Sequence, residues 1–209
     1  MPPSPTADAT TVAFFFDPAC PWTWLTSRWL VDVAERNDLD VTWRAFSLAL
    51  ANEGNEIPEQ FRALQVASQA ALRIVEHLQA EGRNDEIGAF YTELGRRWFH
   101  DDEPRSVEVV RAAAEAAGVG DVADRAEVEA LDLRLAESLA EARSMVGDDV
   151  GSPVLAVDGS GLFGPIISST LDAEDADRLW QVVTGSLQLG AFHELKRSRT
   201  GGPSFGPRP

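Results

Sequence analysis

Hydrophobic and polar positions follow three regimes along the chain. Residues 12–16 (VAFFF) are an unbroken apolar run, the pattern of a strand buried on both faces. Residues 21–36 then place Leu25, Trp29 and Val33 at every fourth position behind a leading proline, which predicts a helix opening at Pro21. Residues 39–48 (LDVTWRAFSL) return to alternation and predict a second strand. The opening therefore reads β-α-β.

Residues 58–145 are rich in Ala, Glu, Leu and Arg, with breaks at EGRND (81–85), DDEP (101–104) and GVGD (118–121), which predicts about four or five helices. No fixed period recurs, so a solenoid is excluded. In GSPVLAVDGSGLFGP (151–165), residues 154–157 read as a strand, 158–161 as a turn, and Leu162 and Phe163 as the start of a returning strand. A last helix is expected from Leu171 toward Leu189, capped by Ser169 or Thr170, with Ala173, Ala176, Leu179, Trp180 and Val183 as its inner stripe. Residues 1–11 and 200–209 offer little apolar surface to offset the entropy of ordering, and both are expected to be disordered. The order implies an α/β domain in two pieces, residues 12–55 and 146–195, whose mixed sheet is interrupted by a helical insertion domain at 56–145.

Composition narrows the function classes. At 209 residues and 44% hydrophobic, the chain can bury one sizeable core. Its 34 acidic against 18 basic side chains give a formal charge of −16, which repels phosphate backbones and anionic membrane surfaces. Nucleic acid and membrane are therefore not expected as partners. The first residues, MPPSPTADATT, have neither the basic start nor the apolar run of a signal peptide, and no segment approaches the ~20 apolar residues of a span. A cytoplasmic protein, monomer or homodimer, is expected.

The chain has one cysteine, which excludes an intramolecular disulfide, and His77, His100 and His193 are too scattered for a zinc motif. The acid runs HDDEP and GDDVG lack the ligand spacing of a calcium loop and read as turn and cap chemistry, so no metal is expected.

Cys20 lies between the first strand and the helix that Pro21 opens, in DPACPWTW (17–24). There its sulfur faces free N–H groups and the positive end of the helix dipole, both of which favour thiolate. Two readings stand: a nucleophile with a lowered pKa, or an inert buried cysteine acting as a small hydrophobe.

These residues resemble a known family. FFFDPACPWTW, with GSPV more than a hundred residues later, is similar to the thioredoxin-fold DsbA-like proteins, which carry Cys-Pro-Trp-Xaa at the head of the first helix. The likeness is closer to the actinobacterial mycothiol-dependent oxidoreductases of the nitroreductase type, whose recurring segments are matched by DPACPW, TSRW, FSLA, VGDDVGSP, LFGP and ELKRSRT. It runs from about Val12 to Thr200. The resemblance implies a thioredoxin fold with an inserted helical domain, Cys20 as nucleophile, and mycothiol as the low-molecular-weight thiol. It also implies a cis Ser152–Pro153 peptide facing the sulfur, with Ser152 backbone groups left to pair with an extended thiol substrate. Mycothiol is close to neutral and is not repelled by an acidic protein as an anionic thiol would be.

The sequence departs from the family at Thr23, where close relatives carry a second cysteine that resolves the mixed disulfide. A hydroxyl there can donate to the Cys20 thiolate, or bond back to its own backbone on the helix surface. The first option gives a monothiol mechanism, in which a second small thiol resolves the adduct and the partner is a small electrophile or disulfide.

Pro21 and Trp22 complete the motif, and Trp22 is expected to line the cleft and stack on a planar substrate. Trp24 and Trp29 are read as core, while Phe163 and Pro165 either wall the same pocket or pack inward. His100 and His193 have no local support as a dyad with Cys20. The basic segment 196–199 reads as a solvated face, or as a patch that folds back on an anionic group. The leading expectation is a thiol-disulfide oxidoreductase, reducing an electrophilic or nitroaromatic compound with mycothiol. One alternative is a kappa-type thiol S-transferase or isomerase, in which Cys20 never forms a disulfide. Another is a redox-inactive DsbA-like binding protein.

Overall fold

The computed structural model describes residues 10–56 and 58–209. Strand β1 (Thr10–Phe16) leads through α1 (Pro21–Asn37) to β2 (Leu39–Ala45), which pairs parallel to β1. A four-residue helix, α2 (Leu48–Ala51), precedes a helical block of α3 (Arg62–Ala80), α4 (Asn84–Phe99), α5 (Val107–Ala116) and α6 (Asp132–Val146). Between α5 and α6 the chain makes 3-10 turns at Gly120–Glu127 and Glu129–Leu131. Strands β3 (Val154–Val157) and β4 (Ser160–Phe163) and helix α7 (Ala173–Leu187) close the chain. The sheet order is β2-β1-β3-β4, with β3 antiparallel to both of its neighbours.

The apolar run is explained by burial on both sides of β1. Phe14 and Phe16 point to one face, where Phe14 meets Trp43 edge-on and Phe16 stacks on Tyr91 of α4 with ring centroids 4.1 Å apart. Phe15 points to the other face and packs with Phe46, Val154 and, from α6, Leu139 and Ala142. Leu25, Trp29 and Val33 are all buried, and Trp29 donates its indole N–H to Ala176 O of α7 at 3.0 Å.

Two devices join the helical block to the sheet. The Asn84 amide supplies both bonds that a neighbouring strand would make to β2, accepting from Trp43 N at 2.9 Å and donating to Val41 O at 2.7 Å. That covers an otherwise open sheet edge. Trp24 of α1 lies against the backbone of α4, where a Cβ built on Gly95 would stand 2.1 Å from its ring. Glycine leaves room there for the indole that anchors the active-site helix.

Several boundaries differ from the sequence reading. The first strand starts at Thr10 rather than Val12, and the second ends at Ala45, because the Ser47 side chain caps α2 by accepting from Leu50 N. The hairpin turn is two residues, Asp158 and Gly159, both at positive φ (48° and 82°), so β4 begins at Ser160. That is the type I′ geometry matching strand twist, and a four-residue turn is not needed. Helix α7 begins at Ala173 because Asp172, not Ser169 or Thr170, accepts from the third backbone N–H; Ala173 is exposed and outside the inner stripe. The tail at 200–209, expected to be disordered, is docked: Phe205 supplies an apolar contact and Arg208 an ion pair with Asp101. Of the N-terminal segment expected to be disordered, residues 1–9 lie outside the described residues.

One buried charge has a measurable consequence. Glu76 of α3 is 5% exposed, and its Oε1 has no hydrogen-bond partner among the described residues. Desolvation raises its pKa to about 7, against the pull of Arg44 and Arg134. Because the folded-state pKa is raised, this group binds its proton more tightly in the folded than in the unfolded chain. Its contribution to stability is full below about pH 4.5 and is lost as pH rises through about 7. Glu76→Gln is expected to flatten that part of the stability-pH curve and to stabilise the protein at pH 8 by roughly 1–3 kcal/mol. Urea denaturation at pH 5 and pH 8 measures it, and an unchanged difference between the two pH values refutes it.

Candidate active site

Cys20 is the N-cap residue of α1, in extended conformation (φ −80°, ψ 113°), with Pro21 in the first turn. Its carbonyl accepts the first helical bond from Trp24 N at 3.0 Å, and its own N–H reaches Asp17 O at 3.1 Å. The backbone N–H groups at the start of the helix, those of Trp22 and Thr23, act on the sulfur to favour thiolate. Across the cleft the Ser152–Pro153 peptide is cis. The thiol donates to Ser152 O, sulfur to oxygen 3.7 Å.

Beneath the sulfur lies a buried polar network. Thr23 is fully buried, and its Oγ1 is 2.8 Å from Ser152 Oγ. Ser152 Oγ also accepts from Asp17 N at 2.9 Å. Asp17 N can only donate, so the Ser152 hydroxyl proton is free to go to Thr23 Oγ1, although either hydroxyl can be the donor of that bond. A hydrogen bond from the Thr23 side chain to the sulfur is among the effects that lower the thiol's pKa. With Ser152 donating to Thr23, the order Asp17 N–H, Ser152 O–H, Thr23 O–H would run toward the sulfur, each bond polarising the next and favouring the thiolate.

The Asp17 carboxylate points the other way. Its Oδ1 accepts from Ala19 N at 2.9 Å and from the Ser68 hydroxyl of α3 at 2.5 Å, and its Oδ2 from Leu48 N at 2.8 Å. It joins the strand end, α2 and the helical block at one buried point. Burial pushes its pKa up despite those three bonds.

The net effect on Cys20 reverses the sequence expectation of a lowered pKa. Burial pushes the thiol up and dominates; the hydrogen bonds from Thr23 and Trp22 pull it down; the Asp17 charge pushes it up again. A helix start suggests an activated thiolate, but a largely buried sulfur near the Asp17 charge keeps its proton longer.

The structure brings Cys20, Pro21, Trp22, Thr23, Ser152 and Pro153 together at one place. Trp22 is half-buried, and the guanidinium of Arg199 lies over its ring, 4.7 Å from the centroid. One face of the ring is thus taken by the C-terminal segment. Thr26 fastens the second proline loop to α1, its hydroxyl 2.8 Å from Pro165 O and 3.1 Å from Trp22 O, and Gly164 N reaches Pro153 O at 2.9 Å. Phe163 is 46% exposed beside this loop. Trp24 and Trp29 are core, as read. Trp24 donates its indole N–H to His100 Nε2 at 3.3 Å. His100 packs edge-on to that ring, and no histidine bonds Cys20 among the described residues.

Sequence reasoning missed Asp17, Ser68 and Thr26; the basic segment 196–199 was singled out, but not the stacking of Arg199 on Trp22. Asp17 had a signal, a carboxylate directly ending a buried strand and beside a cysteine. Ser68 had none, since nothing in α3 announces which hydroxyl turns toward the sheet.

A β-α-β unit and a β-hairpin–helix unit separated by a helical block, with a cysteine at the first helix start and a cis proline facing it, define a DsbA-like thioredoxin-fold protein. Solved structures share the architecture at low sequence identity. A protein described as a probable DsbA oxidoreductase from Streptomyces coelicolor is 17% identical, with 91% of this chain and 94% of that one covered and a TM-score of 0.57. A 2-hydroxychromene-2-carboxylate isomerase is 18% identical over 84% and 93% of the two chains, TM-score 0.58. The cytosolic disulfide reductase DsbM of Pseudomonas aeruginosa, solved with GSH, is 17% identical over 86% and 100%, TM-score 0.52. Among curated proteins, the uncharacterized protein Rv2286c of Mycobacterium tuberculosis is 28% identical over 193 residues, 91% of this chain and 83% of that one. Residues 19–197 match the family model described as Rv2466c-like, mycothiol-dependent nitroreductase Rv2466c. The chain belongs to that Rv2466c-like family.

Among the described residues no helix is long and apolar enough to cross a membrane, and no group of His, Cys, Asp and Glu could hold a metal ion.

Proposed function

We propose that this protein is a cytoplasmic, mycothiol-dependent reductase that works with one thiol. Cys20 is the nucleophile, Thr23 stabilises its thiolate, and Pro21, Trp22, Ser152 and Pro153 form the surface on which the substrate lies. The observation that carries the reading is the Thr23 hydroxyl, buried where a resolving sulfur would stand and bonded to Ser152. A hydroxyl there can hold a thiolate but cannot displace a mixed disulfide.

For a disulfide substrate the steps balance as follows. The Cys20 thiolate attacks one sulfur, forming a mixed disulfide and releasing the other half as thiolate. A mycothiol thiolate then attacks the outer sulfur, forming a mycothiol mixed disulfide with the substrate and returning Cys20 as thiolate. The groups nearest the sulfur suit this chemistry: the Thr23 hydroxyl and the Ser152 carbonyl can accompany a thiol or thiolate but cannot themselves form a disulfide. A thiol with a raised pKa is less ionised at neutral pH but more nucleophilic when ionised, so the two effects partly cancel.

The protonated sulfur donating to Ser152 O favours a second reading, a kappa-type S-transferase or isomerase, in which the Cys20 S–H holds a bound thiolate and never forms a disulfide. Turnover separates the two. With mycothiol as sole reductant and a nitroaromatic or disulfide substrate, Cys20→Ser is expected to lose at least about 100-fold in rate. Turnover retained in Cys20→Ser means the transferase reading, because serine still donates a hydrogen bond.

A further inference from the structure

Residues 188–209 have no helix or strand beyond one isolated bridge between Ser169 and Ser204, yet their far end is fastened at several points. Phe205 packs on Phe99 and His100, with ring centroids 5.1 and 5.9 Å apart. Ser204 N donates to Ser168 O at 2.9 Å, and Arg208 clamps Asp101 with Nε and Nη2 at 3.0 and 2.9 Å. Arg96 Nε reaches Pro209 O at 2.6 Å. With α7 holding one end and these contacts the other, the segment between them crosses the first turn of α1. It delivers Arg199 to the Trp22 ring, two residues along from Cys20.

The charge on this segment is unlike the rest of the protein. Lys196 is the only lysine in the chain, and with Arg197 and Arg199 it makes a basic cluster in a protein of formal charge −16. Arginines elsewhere are mostly neutralised: Arg36, Arg44, Arg73, Arg83, Arg97, Arg178 and Arg208 each hold a carboxylate. Among the described residues Lys196, Arg197 and Arg199 hold none, although Glu194 is close in sequence. The Arg199 guanidinium lies over the Trp22 ring and holds no carboxylate among the described residues, so its N–H donors remain available to take a carboxylate with two parallel bonds.

We propose that Arg199 on Trp22, with Lys196 and Arg197, forms an anion subsite beside Cys20 that selects substrates carrying a carboxylate. The subsite rests on the reading of Cys20 as the attacking thiol. It gives the acidic protein a local positive field at the one place where substrate must approach, and sets which electrophiles reach the sulfur fastest.

Two aromatic disulfides test this. In 5,5′-dithiobis(2-nitrobenzoate) each ring carries a carboxylate, and 4,4′-dithiodipyridine is uncharged near neutral pH. With either one, the Cys20 thiolate displaces half of the reagent as a coloured thiolate or thione and keeps the other half as a mixed disulfide. In Lys196→Gln/Arg197→Gln/Arg199→Gln the rate with the dicarboxylate is expected to fall about tenfold, while the dithiodipyridine rate stays within about twofold; Arg199→Gln alone gives part of the same selective loss. In the wild type, raising the salt to about 0.5 M lowers the dicarboxylate rate alone. Equal changes with both reagents, or no change with either, overturn the subsite while leaving Cys20 an active thiol. A wild-type Cys20 that reacts with neither reagent overturns the thiol-exchange reading and the subsite with it.

Discussion

Thr23→Cys should turn a single-sulfur site into a dithiol site. A cysteine at this position lies one helical turn from Cys20, with the two Cα atoms at about 5–6 Å, inside the range for a disulfide. Its side chain is close to threonine in volume, so the fully buried pocket accepts it with little rearrangement. In the wild type, a disulfide reagent leaves Cys20 as a stable adduct until a second thiol arrives. In the variant, the new sulfur attacks that adduct, expels the small thiol, and leaves an internal disulfide. Intact mass reads the difference: a full-occupancy adduct on the wild type, against less than about a tenth of the variant carrying it and the rest lighter by two hydrogens. A persistent adduct on the variant means that position 23 does not face the sulfur.

The second large effect concerns Asp17. Its charge raises the pKa of Cys20, while its two oxygens hold Ala19 N, Ser68 Oγ and Leu48 N. Asp17→Asn removes the charge and keeps one acceptor. The Cys20 ionisation is then expected to move down, and iodoacetamide labelling at pH 7 to rise on the order of 3–10-fold, because thiolate is the reacting form. The same change turns an amide N–H₂ toward the backbone N–H of Leu48 or of Ala19, leaving a buried donor unpaired at a cost of roughly 1–3 kcal/mol of stability. Faster labelling with lower stability is the signature expected. The wild-type labelling profile should have its midpoint above the ordinary cysteine value. A wild-type midpoint well below neutral, or an Asp17→Asn profile superimposable on it, means that burial and Asp17 do not control the thiol.

Much of the architecture was legible because its signals are local. VAFFF is apolar at every position since Phe14 and Phe16 serve one core and Phe15 another, and burial on both faces is a one-dimensional pattern. Pro21 at the head of α1 and the fourfold spacing of Leu25, Trp29 and Val33 are local in the same way. The hairpin turn was placed but lengthened, because Asp158-Gly159 alone carries the positive φ values the turn requires. The motif residues Cys20 and Thr23 were legible from the strand-to-helix junction, and the partner loop at Ser152 only through the resemblance.

What the sequence did not reveal depends on distant contacts. The pKa direction at Cys20 turns on how deeply the sulfur is covered and on where Asp17 sends its charge, and neither is encoded near the motif. Ser68 reaches Asp17 from a helix about fifty residues away, which no spacing announces. The tail at 200–209 looks unstructured by composition, yet a single aromatic, Phe205, finds Phe99 and His100 and orders it. A short segment can be ordered by an anchor elsewhere even when its own composition predicts none.

The central claim is that Cys20 alone carries exchange with a small thiol and cannot resolve its own adduct. Intact mass after brief incubation with mycothiol disulfide, beside glutathione disulfide and beside Cys20→Ser, tests it most directly. The account predicts one thiol adduct on the wild type with either disulfide, none on Cys20→Ser, and return of the mycothiol adduct to the free mass on adding reduced mycothiol. An unmodified wild type, or an adduct that forms equally on Cys20→Ser, would contradict it.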